Sequence, residues 1–258
     1  REVVMSFSVQ RSAQSMTSGA DRWAAHRRYF RYHLGSLSHH YLTLDTSRMT
    51  ALYFSLVALD VLGSLEEAIE TADRAAIVEW IYALQVVDGD GRGGFRGGTS
   101  LGGAPRREPV TEHDRAHVAM TYTALAALRT LGDDLSRVEA GAILKELRRL
   151  QQPDGSFAAT SDGGESSDVR FTYCAAAIST FLGDASAIDV DAAAAHVARC
   201  RAYDGGYALR PGGEAHGGST YCAVASLVLL SRLAPSRPLV EDTTRGAVVA
   251  WCARRQRA

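Results

Sequence analysis

From Asp21 onward the chain alternates two kinds of apolar pattern. The first kind is apolar nearly all round and rich in small side chains. It runs through Met120-Thr121-Tyr122-Thr123-Ala124-Leu125-Ala126-Ala127-Leu128, returns as Phe171-Thr172-Tyr173-Cys174-Ala175-Ala176-Ala177-Ile178, and returns again as Ser219-Thr220-Tyr221-Cys222-Ala223-Val224-Ala225-Ser226-Leu227. The three tyrosines are 51 and then 48 residues apart. A more divergent copy opens at Thr50-Ala51-Leu52-Tyr53-Phe54 and ends at Leu62-Gly63. A helix of this composition is buried on most sides and packs closely. The second kind is amphipathic at helical period and covers Ala72 to Gln85, Leu135 to Gln151, Val190 to Ala202 and Thr243 to Arg257. No alternation of period two predicts a strand.

Three of the amphipathic runs lead into a glycine-rich turn with an aromatic: Asp90-Gly91-Arg92-Gly93-Gly94-Phe95, Asp154-Gly155-Ser156-Phe157 and Asp204-Gly205-Gly206-Tyr207. Glycine permits positive φ and a sharp reversal, and the aromatic can plug the seam between layers. A purely structural role is the ordinary reading of such turns. A buried helix alternating with an amphipathic one at a period of about 50 residues predicts an all-α chain in two layers. Closed into a ring, this is an α/α toroid, or barrel of repeated helix pairs, around a central cavity; an open solenoid is the other arrangement. Residues 1–19 are polar, Ser-rich and aperiodic, which predicts a disordered arm ahead of a helical domain over residues 20–258.

Composition narrows the function classes. A net charge of −1 lacks the basic footprint of a nucleic-acid binder. No run of about 18 apolar residues predicts a membrane span, and Arg1–Ala20 lacks the apolar core of a secretory signal. Cys174, Cys200, Cys222 and Cys252 have no tight spacing, which predicts reduced thiols in a cytoplasmic protein. Lys145 is the only lysine, so amine nucleophiles and Schiff bases are nearly excluded.

Several segments in order carry a resemblance. They are Leu44-Asp45-Thr46-Ser47-Arg48-Met49-Thr50, Val78-Glu79-Trp80-Ile81-Tyr82-Ala83-Leu84-Gln85, Gly94-Phe95-Arg96-Gly97, His117-Val118-Ala119-Met120-Thr121-Tyr122-Thr123, Leu131-Gly132-Asp133-Asp134-Leu135-Ser136-Arg137-Val138, Asp168-Val169-Arg170-Phe171 and Gly213-Glu214-Ala215-His216-Gly217-Gly218-Ser219-Thr220. The ordered set, spread over residues 22 to 256, resembles the β-subunits of protein prenyltransferases, and among them most closely the type I geranylgeranyltransferases. The resemblance implies an α/α barrel that moves a geranylgeranyl group from its diphosphate to the cysteine of a C-terminal C-a-a-X motif. It also implies an α-subunit partner and a zinc ion that activates the acceptor thiol. Other readings are a farnesyltransferase or Rab-type β-subunit, or a non-catalytic toroid that binds isoprenoid or a protein partner. A terpene cyclase is disfavoured by the lack of an Asp-x-Asp-Asp motif.

The resemblance assigns roles residue by residue. His216 and Gly218 would meet the diphosphate, His216 as the catalytic histidine; a satisfied structural histidine is the alternative. Arg170 would lie deep in the cavity near the lipid and the peptide carboxylate, unless it pairs with Asp168 or Glu165. His117 would hold water at that carboxylate, or be a core histidine. The expected glutamate four residues before Arg170 is replaced by Ser166, with Glu165 one place earlier. Tyr122, Tyr173 and Cys222 would line the lipid cavity, or be plain core. Thr50 stands where farnesyltransferases carry tryptophan and leaves room for a longer chain, with Phe54 one helical turn later. The zinc ligands of the family are expected past Ala258, so no metal ligand is assigned here, and the toroid is expected to be incomplete at its C-terminal end, as a fragment or a natural short form.

Overall fold

The computed structural model describes residues 23–99, 114–162, 168–235, 239 and 242–256. The expected arm over 1–19 lies outside the described residues, as do Glu165 and Ser166. The order is α1 (Ala24–Gly35), a 3-10 stretch (His39–Ser47), α2 (Arg48–Val61), α3 (Leu65–Ala68), α4 (Thr71–Ala83), β1 (Gln85–Val87), β2 (Gly93–Phe95), α5 (Val118–Thr130), α6 (Ala140–Leu150), α7 (Val169–Leu182), α8 (Val190–Arg199), α9 (Gly217–Leu233) and α10 (Asp242–Ala253). Among the described residues there are two compact units. One comprises residues up to Val86, Phe95–Arg115 and Thr123–Val138; the other comprises Val87–Gly94, Ala116–Tyr122 and Glu139 onward.

Each apolar run is a helix: α2, α5, α7 and α9. Its burial follows from the composition, as α7 shows: Phe171, Thr172, Cys174, Ala175, Ala176, Ala177, Ile178 and Ser179 are all buried. The small side chains let α7 lie along α9. Val169, Ala194, Val197, Cys200, Tyr207, Ala223 and Leu227 form a core cluster in the second unit. In the first unit Met49, Leu56, Leu59, Ile77, Ile81 and Leu84 are fully buried. Three of the apolar helices end alike. Gly63, Gly132 and Gly183 take positive φ, and the next N–H reaches back to Leu59, Leu128 or Ser179, the C-terminal arrangement that satisfies orphan carbonyls.

The glycine turns also repeat. Gly91, Gly155 and Gly205 have φ of 78°, 84° and 95°. Each turn is closed by the same backbone bond, Asp88 N–H to Arg92 O, Gln152 N–H to Ser156 O, and Ala202 N–H to Gly206 O, at 2.7–2.9 Å. Beyond the sequence expectation, the first turn closes a small hairpin of β1 and β2, and the other two close single antiparallel bridges, Gln151 to Phe157 and Arg201 to Tyr207. The aromatics Phe95, Phe157 and Tyr207 are buried, as their plugging role requires. The turn aspartates are then gripped by the next amphipathic helix. Their carbonyls accept from Lys145 on α6, from Arg199 at the end of α8 (2.6 Å) and from Arg254 just past the end of α10 (2.8 Å).

Two helix boundaries differ from the expectation. α6 begins at Ala140 rather than Leu135 because Asp133 and Asp134 accept the N–H groups of Leu135 (2.7 Å) and Ser136 (2.8 Å), and Leu135 sits at φ 65°. Local side-chain bonds of this kind compete with helix formation. α10 ends at Ala253, short of Arg257.

Two predictions follow from this scaffold. A Cβ at Gly155 would collide with the Ala192 carbonyl, whereas one at Gly63 would meet nothing within 4 Å. Urea unfolding is therefore expected to show Gly155→Ala losing about 3 kcal/mol or more, and Gly63→Ala about 1 kcal/mol. The second concerns His196, buried between the Asp154 carboxylate (3.6 Å) and the Cys200 thiol (3.6 Å). Burial outweighs the attraction of Asp154 and lowers its pKa from the ordinary 6.5. The unfolded chain therefore takes the proton first, and stability falls as pH drops below about 6.5. Thermal unfolding between about pH 7.5 and 5.5 should show this slope, and His196→Gln should flatten it.

Candidate functional site

Aligning the repeats on Tyr122, Tyr173 and Tyr221 places His117, Asp168 and His216 at one register position, five residues earlier. All three do the same local job. The His117 Nδ1 accepts the Ala119 N–H (3.1 Å), an Asp168 carboxylate oxygen accepts the Arg170 N–H (2.8 Å), and the His216 Nδ1 accepts the Gly218 N–H (3.0 Å). Each side chain satisfies an orphan donor at the start of a buried helix. Because Nδ1 is the acceptor, the neutral ring of either histidine carries its proton on Nε2. His216, Gly217 and Gly218 are exposed at the start of the 17-residue α9. Backbone N–H groups and the helix dipole make such a terminus favourable to an anion.

His216 lines a cavity of about 470 Å³ with Ala215, Gly217, Trp251, Cys252, Arg255 and Gln256. Its far wall is built on the third glycine turn. The Trp251 Nε1–H donates to Asp204 (2.8 Å), and Arg255 donates to the same carboxylate (2.7 Å) while stacking on the indole at 3.8 Å. Burial alone would raise the Asp204 pKa, but the bonds from Trp251, the Gly206 N–H and Arg255 hold it below the ordinary carboxylate range. Gly206 is required here, since a Cβ would stand 2.5 Å from the Trp251 ring. Sequence reading missed Arg255 and Trp251 as neighbours of His216. Their usable signal was the repeat register, in which Trp251 stands opposite Asp204 as His196 stands opposite Asp154.

Arg170 is not buried. Its guanidinium is 56% exposed and grips the buried Asp168, at 2.6 Å between Nη2 and Oδ2. Asp168, one of the two partners considered from sequence, thus holds Arg170, while Glu165 lies outside the described residues. Tyr122 and Tyr173 share a hydroxyl–hydroxyl bond of 2.9 Å, and Tyr173 and Tyr221 one of 3.5 Å, with ring centroids 5.1 and 5.6 Å apart. Tyr221, absent from the sequence-based site, is the most open of the three at 62%. Cys222 is half-buried against the core cluster, and burial pushes its thiol up to about 11. Cys174 is buried and its thiol is likewise raised, by desolvation first. In the first unit, Thr50 is half-buried in the opening turn of α2, and Phe54, one turn on, is 63% exposed.

Zinc requires three or four converging N, S or O ligands. Among the described residues no group of three or more His, Cys, Asp or Glu side chains has that arrangement. The chain's described residues therefore do not fit a zinc site. No helix among the described residues is long and apolar enough to cross a membrane.

Residues 22–258 match the prenyltransferase alpha-alpha toroid domain, and the chain belongs to that family. Its fold is accordingly the all-α toroid of the family. More particularly, it is 34% identical over 239 residues to the geranylgeranyl transferase type-1 subunit beta of Arabidopsis thaliana, covering 85% of this chain and 60% of that one. It is 32% identical over 234 residues to the subunit of the same name from Dictyostelium discoideum, covering 84% and 65%. A farnesyltransferase subunit beta from Pyricularia oryzae is 30% identical over 249 residues, covering 90% and 44%. The structure of Candida albicans protein geranylgeranyltransferase-I complexed with GGPP superposes with a TM-score of 0.73 at 20% identity, covering 90% of this chain and 64% of that one. The chain thus spans less than two thirds of the length of these relatives.

The Asp168–Arg170 pair gives an asymmetric prediction. Asp168→Ala removes a buried helix cap and should cost about 2 kcal/mol, whereas Arg170→Ala at the exposed partner should cost under about 1 kcal/mol. Chemical denaturation of the two variants checks it.

Proposed function

We propose that the chain is the β-subunit of a type I protein geranylgeranyltransferase, which moves a geranylgeranyl group from its diphosphate to the cysteine of a C-terminal C-a-a-X sequence. The observation that carries this reading is the open start of α9, where the cap occupies Nδ1 of His216 and leaves Nε2 free to donate, in a cavity that Arg255 also lines. In this reading Nε2–H donates a hydrogen bond to the departing diphosphate, and Arg255 and the α9 amides stabilise its growing charge. Gly217 and Gly218 let the anion approach the backbone. Arg170, fixed by Asp168, presents its guanidinium to a carboxylate of the acceptor peptide. His117 is locked in the same tautomer as His216 and offers Nε2–H to water at that carboxylate. The rings of Tyr122 and Tyr173, with Cys222 behind them, form the lipid wall.

Thr50 and Phe54 would set chain length, a small side chain leaving room that a tryptophan would fill. An α-subunit partner, a cytoplasmic setting and zinc enter this proposal through the family. The described residues do not hold the metal, and no step above passes through it. A second reading, a non-catalytic toroid that binds isoprenoid, draws on that same lack of a ligand set.

Titration with geranylgeranyl diphosphate tests the site. His216→Ala should weaken binding about tenfold and also lose about 1 kcal/mol of stability as a cap. His216→Asn should weaken binding equally while keeping stability within about 0.5 kcal/mol, because asparagine also caps. With an α-subunit and a C-a-a-Leu peptide, the wild-type chain should prefer geranylgeranyl to farnesyl diphosphate, and Thr50→Trp should reverse that order. Equal or better use of farnesyl diphosphate by the wild type would sink the type I assignment. Tight binding of the lipid with no turnover would favour the second reading.

A further inference from the structure

The opening turn of α2 carries Thr50, yet its N-cap residue Ser47 makes no side-chain capping bond. The Met49 N–H is satisfied instead by a distant part of the chain, donating to the Gly97 carbonyl at 2.8 Å. Gly98 is pressed so closely on the Asp45 carbonyl that a Cβ would stand 2.5 Å from its oxygen. Residues 96–98 therefore act as a brace across the start of α2. Arg48 holds the other side, donating to the Gly35 carbonyl at 2.9 Å.

Arg96 anchors the brace. Its N–H donates to the Leu84 carbonyl at 3.2 Å. Its side chain is 1% exposed and pairs with the buried Asp114 carboxylate at 3.4 Å. Among the described residues, none of the three guanidinium nitrogens makes a hydrogen bond. Burial lowers the Arg96 pKa against the pull of Asp114. A buried arginine whose guanidinium makes no such hydrogen bond is a poor source of stability even when paired, since desolvation offsets most of the Coulomb gain. The best-attested use of such a pair is to fix one register among several that apolar packing would allow. Arg96 directly precedes Gly97 and Gly98, the residues that meet α2.

We propose that the buried Arg96–Asp114 pair is a positioning device for chain-length selection. It sets where residues 97 and 98 meet the first turn of α2, and through that turn it sets the placement of Thr50 and Phe54. The selection half of this inference rests on the reading of Thr50 and Phe54 given above; the positioning half does not.

The test uses Arg96→Lys, Arg96→Met and the double variant R96M/D114L, which removes both charges of the pair. Amide exchange in the full chain reads the positioning half without any lipid. The Met49 amide should exchange about tenfold faster in Arg96→Met and in the double variant, while the Leu59 amide near the far end of α2 is unchanged. Arg96→Lys should fall between them and wild type. Unchanged protection at Met49 in the double variant would overturn the proposal outright.

The selection half is read with the α-subunit present, as the ratio of kcat/KM for geranylgeranyl over farnesyl diphosphate. That ratio should fall at least about fivefold in the double variant, with kcat for the geranylgeranyl substrate retained. Faster Met49 exchange with an unmoved ratio would overturn the selection half alone. A wild-type chain without chain-length preference would instead refute the type I reading and the selection half with it, leaving Met49 exchange to decide the positioning half.

Discussion

The contact on which the repeat depends is the grip of an amphipathic helix on the glycine turn that precedes it. In each repeat one cation reaches the carbonyl of the turn aspartate, from Lys145, Arg199 or Arg254. The next position is glycine in all three turns. There the chain has positive φ, and at Gly155 and Gly205 the carbonyls of Ala192 and Ala247 lie against it. The buried aromatic two or more residues on then closes the seam. A neutral hydrogen bond is worth about 1 kcal/mol and one to a charged group somewhat more, so no single grip holds the fold. Their common register fixes which face each amphipathic helix turns inward. The sole lysine of the chain occupies the one grip that arginine does not.

The same repetition builds the candidate site. A polar residue five positions before each ladder tyrosine caps its helix, and the chemistry differs only because the capping residue differs. Aspartate at 168 recruits Arg170 as an exposed cation. Histidine at 216 opens onto a cavity whose opposite wall hangs on Asp204, the aspartate of the third turn. Scaffold and site are therefore built by one device: a structural aspartate and a structural cap each acquire a second neighbour.

Much of this was legible in the residues. The apolar runs and the amphipathic runs located every long helix from α2 onward, because burial on all sides and burial on one side leave different patterns. Where the reading slipped, side chains overrode periodicity. Asp133 and Asp134 hold Leu135 and Ser136 out of helix α6, although the apolar spacing runs straight through them. The hairpin of β1 and β2 was invisible because three-residue strands carry no period. At the site, His117, His216, Tyr122 and Tyr173 were found by motif. Tyr221, Arg255 and Trp251 were not, since their importance lies in what faces them across the fold. Of the pair that the sequence offered at the start of α7, Asp168 is the buried member and the Arg170 guanidinium the exposed one.

The capping bond of His216 has a consequence for charge. The Gly218 N–H requires a lone pair on Nδ1, so a ring protonated on both nitrogens cannot remain latched to the helix. The fold thus separates two services that a histidine usually combines: this one can direct a hydrogen bond but cannot also be a cation without releasing the first turn of α9. Positive charge for any bound anion must come from arginine, whose charge is permanent. The latch that holds this ring also fixes which of its two nitrogens can reach a ligand, so the start of α9 and the direction of the donor are one structural fact.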